Sequence, residues 1–285
     1  MTDTTADDAE RRRVANLAAV YRSAHRRSAE PPAPATPSPR RTGLRGTIAA
    51  ALLLIAGKLK VLAALASVMK LQTLATMLLS IGVYATEWGW QFAAGFVLLI
   101  FVHELGHALV LRREGIPAGA PVFIPFVGAF ITMQGRPRDA YVEAKVAMGG
   151  PVLGSLGAWA VLAAALALRQ PLLAALAQAG ILINLFNLIP VSPLDGGRIA
   201  GAFSRAFWVV GYALGLLAFV ILESPILAIV LVVGLVTLRA QWKNPVPGYH
   251  AITRTQRFAV GAAYAGLLVA LVWTLPFAHA LAARD

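Results

Sequence analysis

The run Phe96–Arg113, FVLLIFVHELGHALVLRR, is apolar over a full helix length yet carries His103, Glu104 and His107 in its second half. An α-helix places residues i and i+4 on one face, so His103 and His107 offer two imidazoles to a single metal ion. Glu104 stands one residue on, about 100° around the helix, where it reaches a water held at that point rather than the metal itself. Ionisable side chains in an apolar membrane run each cost kilocalories, so three together mark a functional site. The competing reading is a chance pentapeptide whose polar groups face a packed bundle.

Composition decides the medium. Of 285 residues, 58% are hydrophobic and 13% charged, against about 25% charged in a soluble domain, so the chain is read as an integral membrane protein. It has no cysteine, which removes disulfides, thiolate ligands and a cysteine nucleophile and leaves His, Asp and Glu to bind a metal. The net charge of +12 is not read as a nucleic-acid surface. Its arginines and lysines flank apolar runs or crowd the first 45 residues, as topology signals and contacts to an anionic lipid surface do. The charged N-terminus lacks the early apolar core of a cleavable signal peptide.

In chain order, residues 1–43 are polar and proline-rich and are expected to form a largely disordered basic cytoplasmic tail, with a short helix around Arg11–Arg27. Residues 44–70 are apolar but hold Lys58, Lys60 and Lys70, which favours interfacial or short membrane helices over a plain span. The membrane core is expected over 71–240, with spans at 71–86, 91–111, 142–168, 171–190, 205–222 and 225–238. A cytoplasmic loop at 241–257 and a last span within 258–285, at 258–276, complete the chain. With the N-terminus in the cytoplasm, only Arg169 and Arg284 of the 25 basic residues fall outside, the three early lysines being ambiguous. The expected location is a bacterial inner or plasma membrane. Residues 117–134 contain Pro117, Pro121 and Pro125 among Val, Phe, Ile and Thr, which breaks a helix and favours a re-entrant β-hairpin or loop beside the site. The GxxxG spacings at Gly150/Gly154 and Gly211/Gly215 are read as plain close packing of helices.

Two imidazoles leave a catalytic zinc site one protein ligand short. Of 13 acidic residues, only Glu104 and Asp195 fall within the membrane-spanning core away from tail, loops and interfaces. Asp195 lies in NLIPVSPLDGGRI, where Pro190 and Pro193 interrupt the helix and Gly196–Gly197 permit close backbone approach. It is the expected third ligand, with His250 the runner-up.

HELGH followed by N-x-x-P-x-x-x-L-D-G-G, together with Pro125–Gly128 and Gly149–Gly150–Pro151, resembles the site-2 protease family of intramembrane zinc metalloproteases over residues 71–240. The resemblance implies an all-α polytopic bundle in which His103, His107 and Asp195 bind one zinc ion, Glu104 is the general acid/base and Asn187 lies by the site and helps to hold substrate. The implied partners are a transmembrane protein substrate and the bilayer, not nucleic acid. The PDZ or CBS domains of some relatives are not recognisable here. The rival readings are a membrane metal-binding or transport protein and a catalytically silent homologue.

Overall fold

The computed structural model describes residues 5–28, 71–203, 205–243 and 247–283; the helices expected within 44–70 lie outside the described residues. The chain divides into two units, Met1–Leu59 and Lys60–Asp285. The first contains helix α1, Thr5–Ser28, which covers the short helix expected at Arg11–Arg27. Its sequence begins acidic, with Asp8 and Glu10, and turns basic toward Arg22, the order that a helix dipole favours.

The second unit is built from α2 (Leu71–Trp88), α3 (Trp90–Arg113), strands β1 (Val122–Ile124) and β2 (Gly128–Phe130), α4 (Ala140–Leu168), α5 (Pro171–Asn187), α6 (Asp195–Ala200), α7 (Arg205–Leu222), α8 (Pro225–Lys243) and α9 (Arg254–Ala282). Each of the seven expected spans corresponds to a helix. Three of them, α3, α4 and α9, are long and apolar enough to cross a membrane, and α5, α7 and α8 carry shorter apolar stretches. Leu98, Leu156, Leu166, Val269 and Trp273 are exposed on these helices, an apolar outer surface suited to lipid. The chain is an all-α polytopic membrane protein, with one small antiparallel sheet among the described residues.

Local chemistry sets the boundaries. Gly89, at φ 78°, separates α2 from α3, a conformation that costs glycine little. The Asp139 carboxylate caps α4 by accepting the Val142 N–H at 2.8 Å. Arg169, at φ 52°, ends α4, and Pro171 opens α5, where its missing N–H would have no partner anyway. Thr253 and Gln256 form a capping box that starts α9 four residues ahead of the expected Phe258.

Of three apolar clusters among the described residues, two bear most on the placing of the site. One joins Ala144, Ala147 and Ala158 of α4 to Ile181 of α5, Ile199 of α6 and Leu271 of α9, with Leu188 from the segment after α5. The other joins Met77 and Tyr84 of α2 to Ala93, Val97, Ile100 and Phe101 of α3 and to Phe123 of β1. Helices α3 and α4 approach so closely that a Cβ on Gly106 would lie 2.0 Å from the Gly149 carbonyl oxygen.

The ribbon expected at 117–134 is a β-hairpin. Val122, Phe123 and Ile124 pair with Phe130, Ala129 and Gly128. Below them, the Gly119 N–H donates to Thr132 O at 2.7 Å and the Gln134 N–H to Pro117 O at 2.9 Å. Prolines at 117 and 121 contribute carbonyls but no donors, so they sit where only an acceptor is needed. Helix α2 holds the hairpin through polar contacts. Thr73 Oγ1 donates to Pro121 O at 2.7 Å, Thr76 Oγ1 accepts from the Phe123 N–H at 3.3 Å, and Tyr84 Oη accepts from the Phe126 N–H at 2.8 Å. The Tyr84 ring also packs against Trp88, Phe96 and Phe126, joining the hairpin tip to α2 and α3.

Candidate metal centre

Helix α3 presents His103 and His107 one turn apart, with ring centroids 4.9 Å from each other. Their Nε2 atoms are 3.1 Å apart. Asp195 Oδ2 lies 3.1 Å from His103 Nε2 and 3.2 Å from His107 Nε2. All three residues are buried. Ligand atoms bound at 2.0–2.1 Å to a tetrahedral zinc ion are separated by about 3.3 Å, so this triangle fits one such ion with little adjustment.

The protons of the two imidazoles decide what the triangle can hold. Asn184 Nδ2 donates to Gly180 O at 2.7 Å, which turns Asn184 Oδ1 toward His103 Nδ1 at 2.9 Å. That oxygen can only accept, so His103 carries its proton on Nδ1. His107 Nδ1 likewise donates to Val146 O at 2.8 Å. In the neutral rings both Nε2 atoms are then bare lone pairs, facing each other and a carboxylate oxygen. Three acceptors converging in a buried space are a set that one cation would satisfy, and orienting partners on the far ring nitrogens are the usual support of histidine metal ligands.

Asp195 reaches this place because the chain is broken and braced behind it. After α5, residues 188–194 leave helical geometry, and α6 starts at Asp195. A Cβ on Gly196 would meet Leu188 O at 2.2 Å, and one on Gly197 would meet Ser192 N at 2.3 Å. The three following helices close on the same segment. Gly211 of α7 would place a Cβ 1.9 Å from Pro190 O, Gly234 of α8 would place one 1.9 Å from Ser192 O, and Tyr264 Oη of α9 donates to Leu188 O. Non-helical backbone inside a membrane bundle needs such cover.

These contacts revise the reading of the glycine pairs as packing alone. A Cβ on Gly150 would lie 2.2 Å from His107 Nε2 and 2.6 Å from His103 Nε2. A Cβ on Gly154 would lie 2.4 Å from Asn184 Oδ1. Both glycines leave room for the site, and Gly211 leaves room for the backbone behind Asp195. Only Gly215, near the side chains of Leu231 and Val191, keeps the plain packing role.

Residues 91–170 match the family model described as Peptidase family M50. The zinc metalloprotease Rip3 of Mycobacterium tuberculosis is 33% identical over 144 residues, covering 46% of this chain and 36% of that protein. The zinc metalloprotease MJ0392 of Methanocaldococcus jannaschii is 30% identical over 115 residues, covering 38% of this chain and 33% of that protein. This stretch is thus similar to the site-2 protease family. The matches span about a third of the length of these curated relatives. The family match contains HELGH and Gly149–Pro151 but ends before Asp195. Asp195 therefore stands with the histidines on the geometry above.

The remaining sequence candidates separate clearly. Glu104 is buried on α3 beside His103. His250 is not part of the cluster; its Nδ1 lies 3.0 Å from Gly201 O beyond the end of α6. Asn187 Nδ2 donates to Ile183 O of its own helix at 3.0 Å. The asparagine that touches the cluster is Asn184, three residues earlier, through His103 alone; sequence reasoning missed it. Its signal was available: it lies one turn before Asn187 on the same apolar helix, where a second amide also calls for a partner.

Proposed function

We propose that this chain is an intramembrane zinc endopeptidase that hydrolyses peptide bonds within transmembrane segments of membrane proteins. The observation that carries the reading is the convergence of His103 Nε2, His107 Nε2 and Asp195 Oδ2 within 3.2 Å of one another, with Glu104 next to the first ligand on the same helix. The relatives' names, which describe zinc metalloproteases, agree with it. His103, His107 and Asp195 would hold the ion, with one zinc per chain. Bound zinc supplies Lewis-acid polarisation of a carbonyl and makes water a nucleophile near neutral pH.

The chain's own residues do the rest. Glu104 points about 100° away from the ligand face of α3, so its carboxylate takes a proton from the attacking water and later returns it to the leaving amine. Asn184 and the Val146 carbonyl keep both imidazoles in the tautomer that turns lone pairs to the ligand position. A helical substrate hides its peptide bonds, so it must unwind locally before attack. The 117–134 hairpin would take the unwound segment as an added strand, and Asn187 would exchange its bond to Ile183 O for one to the substrate backbone. The N-terminus would face the cytoplasm, placing the site close to the cytoplasmic end of α3, which finishes in Arg112–Arg113. Co-expression with candidate single-pass membrane proteins, comparing wild type with Glu104→Gln, tests the proposal. Cleavage by wild type alone supports it, and equal cleavage by both overturns it.

A further inference from the structure

The other oxygen of Asp195 has a neighbour that the proposed reaction does not use. Arg198 follows one turn later on α6, and its Nη1 lies 3.9 Å from Asp195 Oδ1. The guanidinium is held from two further directions. Its Nε donates to Glu143 Oε1 of α4 at 3.5 Å, and its Nη2 lies 3.4 Å from Met133 Sδ at the base of the hairpin. Glu143 Oε2 in turn accepts from Tyr249 Oη at 2.6 Å, while the Tyr249 carbonyl accepts the Ala140 N–H at 2.9 Å. Burial and the Glu143 carboxylate push the Tyr249 hydroxyl well above its ordinary range, so it stays a donor. Arg198 and Glu143 are each largely covered, with side chains 22% exposed.

We propose that Arg198 is a positioning residue whose guanidinium, paired at 3.9 Å with Asp195 Oδ1, draws that oxygen toward itself and leaves Oδ2 facing the metal position, with Glu143 and Tyr249 fixing the guanidinium. The inference rests on the proposed zinc site. A carboxylate with both oxygens free can bind an ion through either or both, whereas a cation beside one oxygen favours binding through the other. Glu143 offsets the charge of Arg198, which alone would repel a dication. The chain also makes the ligand's orientation depend on residues from α4 and from the segment before α9.

The test is metal binding by the purified full-length protein in detergent, with zinc affinity measured by competition and cobalt as a spectroscopic probe. A four-coordinate site with one carboxylate oxygen gives intense visible cobalt bands, which weaken when a second oxygen raises the coordination number. Arg198→Gln is expected to lower zinc affinity by about 10- to 100-fold, the usual effect of losing an orienting partner, and to weaken the cobalt bands. Arg198→Lys keeps the charge but not the fork, and should restore neither reading fully. Tyr249→Phe should act in the same direction with a smaller effect. Wild-type affinity and cobalt bands in Arg198→Gln would overturn the proposal. So would lost affinity with unchanged bands and an equal fall in thermal stability of the metal-free chain, since that is a structural role only. If wild type itself takes up neither metal, the zinc reading falls, and this inference with it.

Discussion

At the scale of single residues, function divides between groups that would hold the metal and a group that would move protons. Asp195→Ala removes one corner of the ligand triangle and should abolish tight zinc binding, while His250→Ala, which loses only a contact to Gly201 O, should leave zinc content unchanged. Metal analysis of the purified variants checks both, and the reverse pattern would discard Asp195 as a ligand. Glu104→Gln keeps size and helix but not the base. Zinc should persist while cleavage falls by at least about 10²-fold; loss of zinc instead would make Glu104 a ligand. Asn184→Ala leaves the His103 Nδ1 proton without its acceptor, and zinc affinity should drop by about 10- to 100-fold in a competition assay.

At the scale of elements, the contact between α3 and α4 stands closest to the site. Gly106 faces Gly149 backbone to backbone, and Gly150 faces the two imidazoles. Gly106→Ala has no flexible atom to displace, so the helices must separate. A loss of about 1–3 kcal/mol or more is expected, read as a lower unfolding temperature in detergent. Gly150→Ala should instead spare stability relative to Gly106→Ala and abolish zinc uptake, because its Cβ would meet His107 Nε2 at 2.2 Å. Equal zinc content in Gly150→Ala and wild type would show that the rings have space to withdraw.

At the scale of the molecule, orientation follows from where the positive charges fall. A reporter fused after Arg113 should read cytoplasmic and one inserted near Glu223 external, as the distribution of arginine and lysine demands. An external reading at Arg113 would place the proposed active site at the opposite leaflet. The breadth of the exposed apolar surface on α4, α7, α8 and α9 has the same origin as the buried polarity of α3: lipid solvates hydrocarbon, so polar groups turn inward to one another.

The helices and the two-histidine face were legible in the sequence because they depend on local order: apolar runs, prolines, glycines and the i, i+4 spacing of His103 and His107 act within a few residues. Asp195 was singled out by elimination, since only it and Glu104 among the carboxylates fall within the membrane-spanning core, where a charge needs a partner. The hairpin was legible for a similar reason, its prolines and β-branched residues excluding a helix. Tertiary structure alone decided which atoms meet. The choice of Asn184 for His103, of the Val146 carbonyl for His107 and of Gly150 for the space before both rings depends on the rotation and depth of α3, α4 and α5 relative to one another. Helix periodicity names the faces of each helix, but the contact between two faces is fixed only when the side chains of both pack together.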